Sequence, residues 1–374
     1  MRQVSVNSVD STVTAQGGAL WKDMNDTAAM FNLAVVSGTV SQVGVGGLTM
    51  RGGYGYLTPR YGLVLDKLLS AKVITGDGQI LNASPNEHSD LFWAIRGARA
   101  NVGVAAVLRF QAHAQANMVW CGTMMFARDK LTEVIQALNG CLVHPQENAA
   151  AQCVLALSPD SGAPVITIVL FFNSSQEEGR THFSSLINLE CISTSMEMRP
   201  YAQANTMLDD VMPPGGRKEM LGVKLVPPIL PEFASELLEE VGRKLIAVPE
   251  LARSCFAVDY FDLSKVYSVP INETAFPSRT KTLNGVLILQ WVDPSKDKDF
   301  IAWGKEIQNM CEAELQRASH KPDKLVSTFS GYTQDDNLTP EDMFGVNADA
   351  LLKVKRKYDP DNVFNKLNPL ELSG

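Results

Sequence analysis

The sequence predicts an α+β protein in two parts, and three observations predict it. Gly44 to Gly62 reads GVGGLTMRGGYGYLTPRYG, with glycine at 44, 46, 47, 52, 53, 55 and 62. Glycine is costly to order, so such density implies backbone packed against something a side chain would exclude, a flat ligand or another backbone. Its alternating flanks place these glycines on short strands and tight turns. Next, Leu68 to Ile74 alternates and meets Gly76-Asp77-Gly78, a hairpin turn with Gln79 to Ala83 returning. Finally, from residue 115 to about 330, long helical patterns sit beside alternating strands, which suggests a sheet covered on one face by helices.

Taken in order, Val4 to Ala15 reads as a hairpin turning at Val9-Asp10-Ser11. Gly18 to Asn32 reads as a helix with Leu20, Met24, Ala28 and Phe31 on one face. Asp90 to Ala94 begins a short helix capped by Ser89 or Asp90. Gly103 to Ala114 is a strand closing the first part. Beyond it, Arg128–His144, Gln176–Leu186, Pro231–Ile246 and Lys298–Arg317 read as helices. Gln152–Leu157, Pro164–Phe172, Cys255–Phe261 and Leu283–Val292 read as strands. Val211 to Met220, VMPPGGRKEM, groups two prolines with two glycines and reads as a mobile loop. The expected division is 1–114, 115–340 and a C-terminal return, 341–374.

Composition bounds the function. Of 374 residues 45% are hydrophobic and 20% charged, as in an ordinary soluble globular protein. A net charge of −8 provides no basic footprint, so nucleic acid is not an expected partner and a small-molecule substrate is. The six cysteines are dispersed without a CxxC pair and the five histidines lack metal spacing, so neither a disulfide framework nor a metal is expected. No apolar window spans a membrane, and residues 1–16 lack the apolar segment of a leader, which makes the cytoplasm the default location. Oligomeric state is not legible.

The run GTVSQVGVGGLTMRGGYGYLTPRYGLVLDKLLSAKVITGDGQIL, followed by SDLFWAIRGARANVGV, resembles the flavin-binding domain of the berberine-bridge-enzyme-like FAD-linked oxidases, within the vanillyl-alcohol-oxidase and p-cresol-methylhydroxylase superfamily. KYDPDNVFNKLNP, Lys357 to Pro369, resembles the family's C-terminal return to that domain. The resemblance implies an FAD-binding α/β subdomain joined to a substrate domain whose antiparallel sheet roofs the flavin. It implies FAD contacts from Val43, Gly44, Gly46, Gly47, Gly52, Gly53, Gly55, Asn101, Gly103 and Val104. Arg99, where the family has glycine, is either a cation for the diphosphate or a solvated loop side chain. The family's upstream subdomain, with its pyrophosphate loop and histidine anchor, lies outside this sequence, and Val40 stands where many members carry a second anchoring cysteine. FAD is therefore expected to be non-covalent and weakly retained.

For catalysis, the family's Gln-Tyr-x-x-x-Trp strand maps onto GVLILQW, with Trp291 matching the tryptophan. The polar position then falls on Val286, which accepts no proton, while Gln290 shares its strand parity four residues on. Tyr332, in a segment resembling the family's Tyr-x-Asn, is either a phenolate base activated by a cation or a packed, hydrogen-bonded tyrosine. Glu273 to Arg279 resembles a family segment that positions the sheet. The resemblance implies an oxidase of a small secondary metabolite with oxygen as acceptor. Alternatives are a non-redox cyclase or pericyclase reusing the pocket, where shape alone carries the reaction, and an inactive fragment of such an oxidase.

Overall fold

The computed structural model describes residues 1–209, 212–318, 332, 339–366 and 370. The first part holds strands β1 (Val4–Asn7), β2 (Thr12–Gln16), β3 (Leu33–Ala34), β4 (Leu68–Ile74), β5 (Ile80–Ala83), β6 (Val104–Gln111) and β7 (His113–Ala114). Five form one sheet in the order β1-β2-β6-β4-β5, antiparallel at each junction, and β3 pairs with β7. Helix Trp21–Ala29 packs Trp21, Met24, Asn25 and Ala28 inward. The predicted face fails at Phe31, which lies past the helix end and is 46% exposed. Helix Ser89–Ile95 takes His88, in the left-handed region, at its N-cap in place of Ser89 or Asp90.

The glycine stretch differs from expectation. It forms two short helices, Val45–Thr49 and Thr58–Tyr61, and no strand. Its close packing is real: a Cβ on Gly55 would stand 1.7 Å from the Ser37 carbonyl oxygen, and one on Gly53 (φ +80) 2.6 Å from the Val64 side chain.

The second part is built on β8 (Val119–Ala127), β9 (Ala149–Leu157), β10 (Pro164–Phe172), β11 (Ser193–Thr194), β12 (Glu197–Arg199), β13 (Arg217–Leu225), β14 (Cys255–Phe261) and β15 (Leu283–Trp291). They form one antiparallel sheet, β11-β8-β10-β9-β14-β15-β13, with β12 also on β8. Because side chains alternate along a strand, Cys153, Leu155, Phe256, Val258, Leu287, Leu289, Leu221 and Val223 share one face and join the core under helices Leu131–Val143, Pro231–Ala247 and Asp297–Ala318. Helix Pro231–Ala247 starts with proline at its first position, where the missing N–H costs nothing. It buries Phe233, Leu237, Leu238, Val241 and Leu245 at helical spacing, each worth about 1.5–3 kcal/mol. The segment expected as a loop is in part a strand: β13 begins at Arg217, and Val211 lies outside the described residues.

The opposite face of this sheet turns toward the first part. Arg279, its side chain 1% exposed, binds Asp66 at 2.7 Å across the junction, and Phe276 packs over Gly97. The C-terminal segment docks on the first part. The Gly76 N–H donates to the Tyr358 carbonyl at 3.0 Å, and the Tyr358 hydroxyl to Asp90 at 2.7 Å. Asp359, fully buried with Lys355, accepts from the Val363 and Phe364 N–H groups. Residues 367–369 of the expected return lie outside the described residues.

Candidate active site

The inward face of the sheet is a grid set by register. Gln152 (β9), Asp259 (β14), Asn284 (β15) and Lys224 (β13) oppose one another in a single polar row. The next row along the same face is Val154, Ala257, Val286 and Gly222, followed by Cys255, Ile288 and Met220, and then Gln290 and Lys218. Over this floor lies a cavity of about 380 Å³, walled by Gly38, Thr39, Val40, Val43 and Leu48 on the first part and by Leu208 and Met212 to Pro214 at one side. A cavity of that size with few polar groups is typical of a small-molecule site.

The polar row is hydrogen-bonded and buried. Gln152 Nε2 donates to Asp259 Oδ1 at 2.7 Å and the Tyr332 hydroxyl to Oδ2 at 3.2 Å. Lys224 Nζ donates to Asn284 Oδ1 at 2.6 Å. Burial raises the Asp259 carboxyl to about 6, against the lowering effect of Gln152, Tyr332 and the Lys224 charge. Burial likewise lowers the Lys224 amine to about 7, with the Asp259 charge opposing. Both shifts follow from desolvation of a charge. The result is a carboxyl poised to exchange a proton near neutrality.

Tyr332 is brought to the site, its ring stem against Gly222, and it lines the cavity. The phenolate role is not supported: burial and the neighbouring Asp259 hold its hydroxyl well above the usual tyrosine value. Val286 lies in the apolar floor, as its position implied. Gln290 stands on the same face but does not line the cavity; its amide donates to the Arg253 carbonyl at 3.0 Å and lies 3.8 Å from the Met212 sulfur. Asp259, Gln152 and Lys224 escaped sequence reasoning. The only signal was a polar residue at an alternating position in each strand, and which strands lie side by side is a non-local fact.

Of the residues expected to hold FAD, Val43 lines the cavity. Gly44 and Gly47 have open space where a Cβ would stand. The others do not line the cavity. Gly46 abuts the Gly17 carbonyl oxygen, Gly53 and Gly55 allow close approach within the first part, and Gly52 (φ +110) makes a turn. Asn101 is buried, bonded to the Ala98 carbonyl and the Leu370 N–H. Gly103 (φ +154) packs on Val73, and Val104 is 50% exposed at the start of β6. Arg99 is 2% exposed and so is no solvated loop side chain; burial and the charge of Arg51 lower it to about 9. Its backbone N–H donates to the Met50 carbonyl, beside helix Val45–Thr49. The apolar slot between Val40, Leu48 and the sheet suits a flat ring, and the neighbouring guanidinium groups of Arg51 and Arg99 suit a diphosphate; together they fit a flavin dinucleotide.

Residues 1–84 match the family described as FAD binding domain, and residues 329–369 the one described as Berberine and berberine like. The FAD-linked oxidoreductase pgmH of Aspergillus terreus is 29% identical over 99% of this chain and 77% of its own. Among solved structures, berberine bridge enzyme from Eschscholzia californica superimposes with a TM-score of 0.80 at 18% identity, covering 99% of this chain and 78% of its own. Xylooligosaccharide oxidase from Myceliophthora thermophila, in complex with xylobiose, does so at 0.80 and 20%, covering 100% and 81%. The fold is that of these oxidase structures, and the relatives define the class as FAD-linked oxidoreductase. In both matched segments the chain is similar to the berberine-bridge-enzyme-like members of this class. Among the described residues no helix is long and apolar enough to cross a membrane, and no cluster suited to a metal is present.

Proposed function

We propose that this chain holds FAD in the slot between the Gly38–Leu48 wall and the sheet and oxidises a small secondary metabolite there, with oxygen as electron acceptor. The observation that carries the reading is Asp259, a buried carboxyl near pKa 6 at the polar end of an apolar cavity. A substrate hydroxyl resting on Asp259 gives its proton to the carboxylate as the hydrogen on the adjacent carbon leaves with its electron pair, and a carbonyl forms. Bound FAD supplies the hydride acceptor, and oxygen takes the two electrons onward to hydrogen peroxide. Gln152 and Tyr332 each hold one oxygen of Asp259, which fixes the acceptor's orientation. Lys224, across Asn284 in the same row, stabilises the carboxylate before the transfer. The floor of Val154, Ala257, Val286 and Ile288 excludes water from the reacting carbon.

The test uses the FAD-loaded chain and a panel of small alcohols and phenols, reading anaerobic flavin bleaching and then oxygen uptake. Asp259→Asn should slow bleaching by about 10²–10⁴-fold, the usual worth of a positioned base. Undiminished bleaching in that variant would remove Asp259 from the mechanism. Conversion of a substrate by flavin-free protein would establish the cyclase reading instead.

A further inference from the structure

Lys218 carries an observation that the proton-transfer end of the cavity does not use. It lines the same cavity, on the inward face of β13, three rows from Asp259. Its ammonium is held by the carbonyl oxygens of Pro213, at 2.6 Å, and Gly215. That leaves one of its three N–H donors. Among the described residues no carboxylate pairs with it. A cation beside an apolar floor, anchored by its own loop, has one donor left for an anionic group of a ligand.

We propose that Lys218 is a specificity-determining residue that selects an acidic substrate: a flat, apolar molecule with a hydroxyl at one end, for Asp259, and a carboxylate at the other, for Lys218. The inference rests on reading this cavity as the substrate site. The two residues stand six positions apart along the strand direction, about 20 Å at the backbone. A ligand that reaches both must therefore be elongated. The rows between, Val286 with Ala257 and Ile288 with Cys255, offer no hydrogen bonds to a polyhydroxylated body. A sugar laid there would lose its bonds to water unreplaced, whereas an aromatic body would not.

The experiment is calorimetric binding of three probes to the FAD-loaded protein: trans-4-hydroxycinnamate, its methyl ester and the shorter 4-hydroxybenzoate. The expected result is that the hydroxycinnamate binds tightest. Lys218→Met should weaken it about ten-fold or more, the loss of a charge-assisted hydrogen bond, and leave the ester unchanged. Lys218→Arg should restore most of the preference, and thermal melts confirm that both variants are folded. Equal binding of acid and ester, a preference that survives Lys218→Met, or no binding of any probe would overturn the proposal. Binding needs no turnover, so the two readings fail separately. Acids that bind through Lys218 while no panel compound bleaches the flavin count against the oxidation reading alone. Oxidation of neutral compounds with no preference for acids counts against Lys218 alone.

Discussion

Gln152 and Asp259 face each other in register across β9 and β14, and the 2.7 Å hydrogen bond between them fixes the one carboxylate that lines the cavity among the described residues. With its pKa near 6, that carboxylate is mostly ionised at neutral pH and protonated in mild acid. As a proton acceptor it works only when ionised. The apparent second-order rate constant should therefore rise with pH through about 6 and level off above it. A profile flat from pH 5 to 8 would exclude Asp259 as the group that sets the rate.

The same shift makes a stability prediction. Burial raises the folded pKa of Asp259 to about 6, above its unfolded value near 4. An acid shifted upward stabilises the fold below the unfolded value and loses that contribution as pH rises through the folded value. Roughly two units correspond to about 3 kcal/mol. Urea titrations should show Asp259→Asn gaining on the wild type between pH 4 and pH 7; a constant difference across that window would refute the assignment.

Arg279 and Asp66 form a pair buried at the junction of the two parts, and Arg279 also donates to the Val266 carbonyl at 3.1 Å. Removing one partner strands the other in a medium that cannot solvate it. Arg279→Met should destabilise by about 3–5 kcal/mol, read as a lower urea midpoint. A loss below about 1 kcal/mol would mean that water reaches Asp66.

Two glycines of the same stretch should respond in opposite ways. Gly55→Ala places a methyl on the Ser37 carbonyl and should abolish soluble folded protein. Gly47→Ala meets nothing within 4 Å and lies in helix Val45–Thr49, so it should leave stability unchanged or raise it by up to about 1 kcal/mol. Should the open side of Gly47 face the cofactor, that variant will hold FAD less tightly despite its stable fold, which fluorescence titration measures.

Flavin bound by this chain should separate from it on acid precipitation. Among the described residues the cavity lining has valine at 40, no histidine and one cysteine, Cys255, whose thiol burial pushes up to about 12, away from the reactive thiolate. Yellow colour retained by the washed precipitate would contradict this.

Much of the architecture was legible in the sequence because it rests on local periodicity. Pro164–Phe172 and Cys255–Phe261 are short, near-continuous apolar runs rich in β-branched and aromatic residues, as strands buried on both faces are, and helix Pro231–Ala247 announces itself by its apolar spacing and initial proline. β13 was half hidden because prolines and glycines immediately before Arg217 look like a loop running on. Arg99 misled because a charge in a glycine-poor loop reads as solvated, while tertiary packing encloses it. The site was the least legible part. Tyr332 and Val43 came from resemblance, but Asp259 sits in CFAVDYF as one polar residue among apolar ones. Only the pairing of β9, β14 and β15, drawn from residues 149 to 291, reveals its company.

That dependence on register has an evolutionary corollary. A substitution in any row of the grid alters one chemical group and leaves the others where they are, so new selectivities are reachable in single steps. A one-residue insertion or deletion within β9, β13, β14 or β15 does something else: it turns every later side chain of that strand to the opposite face. Lys224 or Asp259 would then point into the helical core, where Val223 and Val258 now pack. Diversification of this scaffold is thus expected to proceed by exchange of residue types at fixed strand lengths, with length variation confined to the connecting loops.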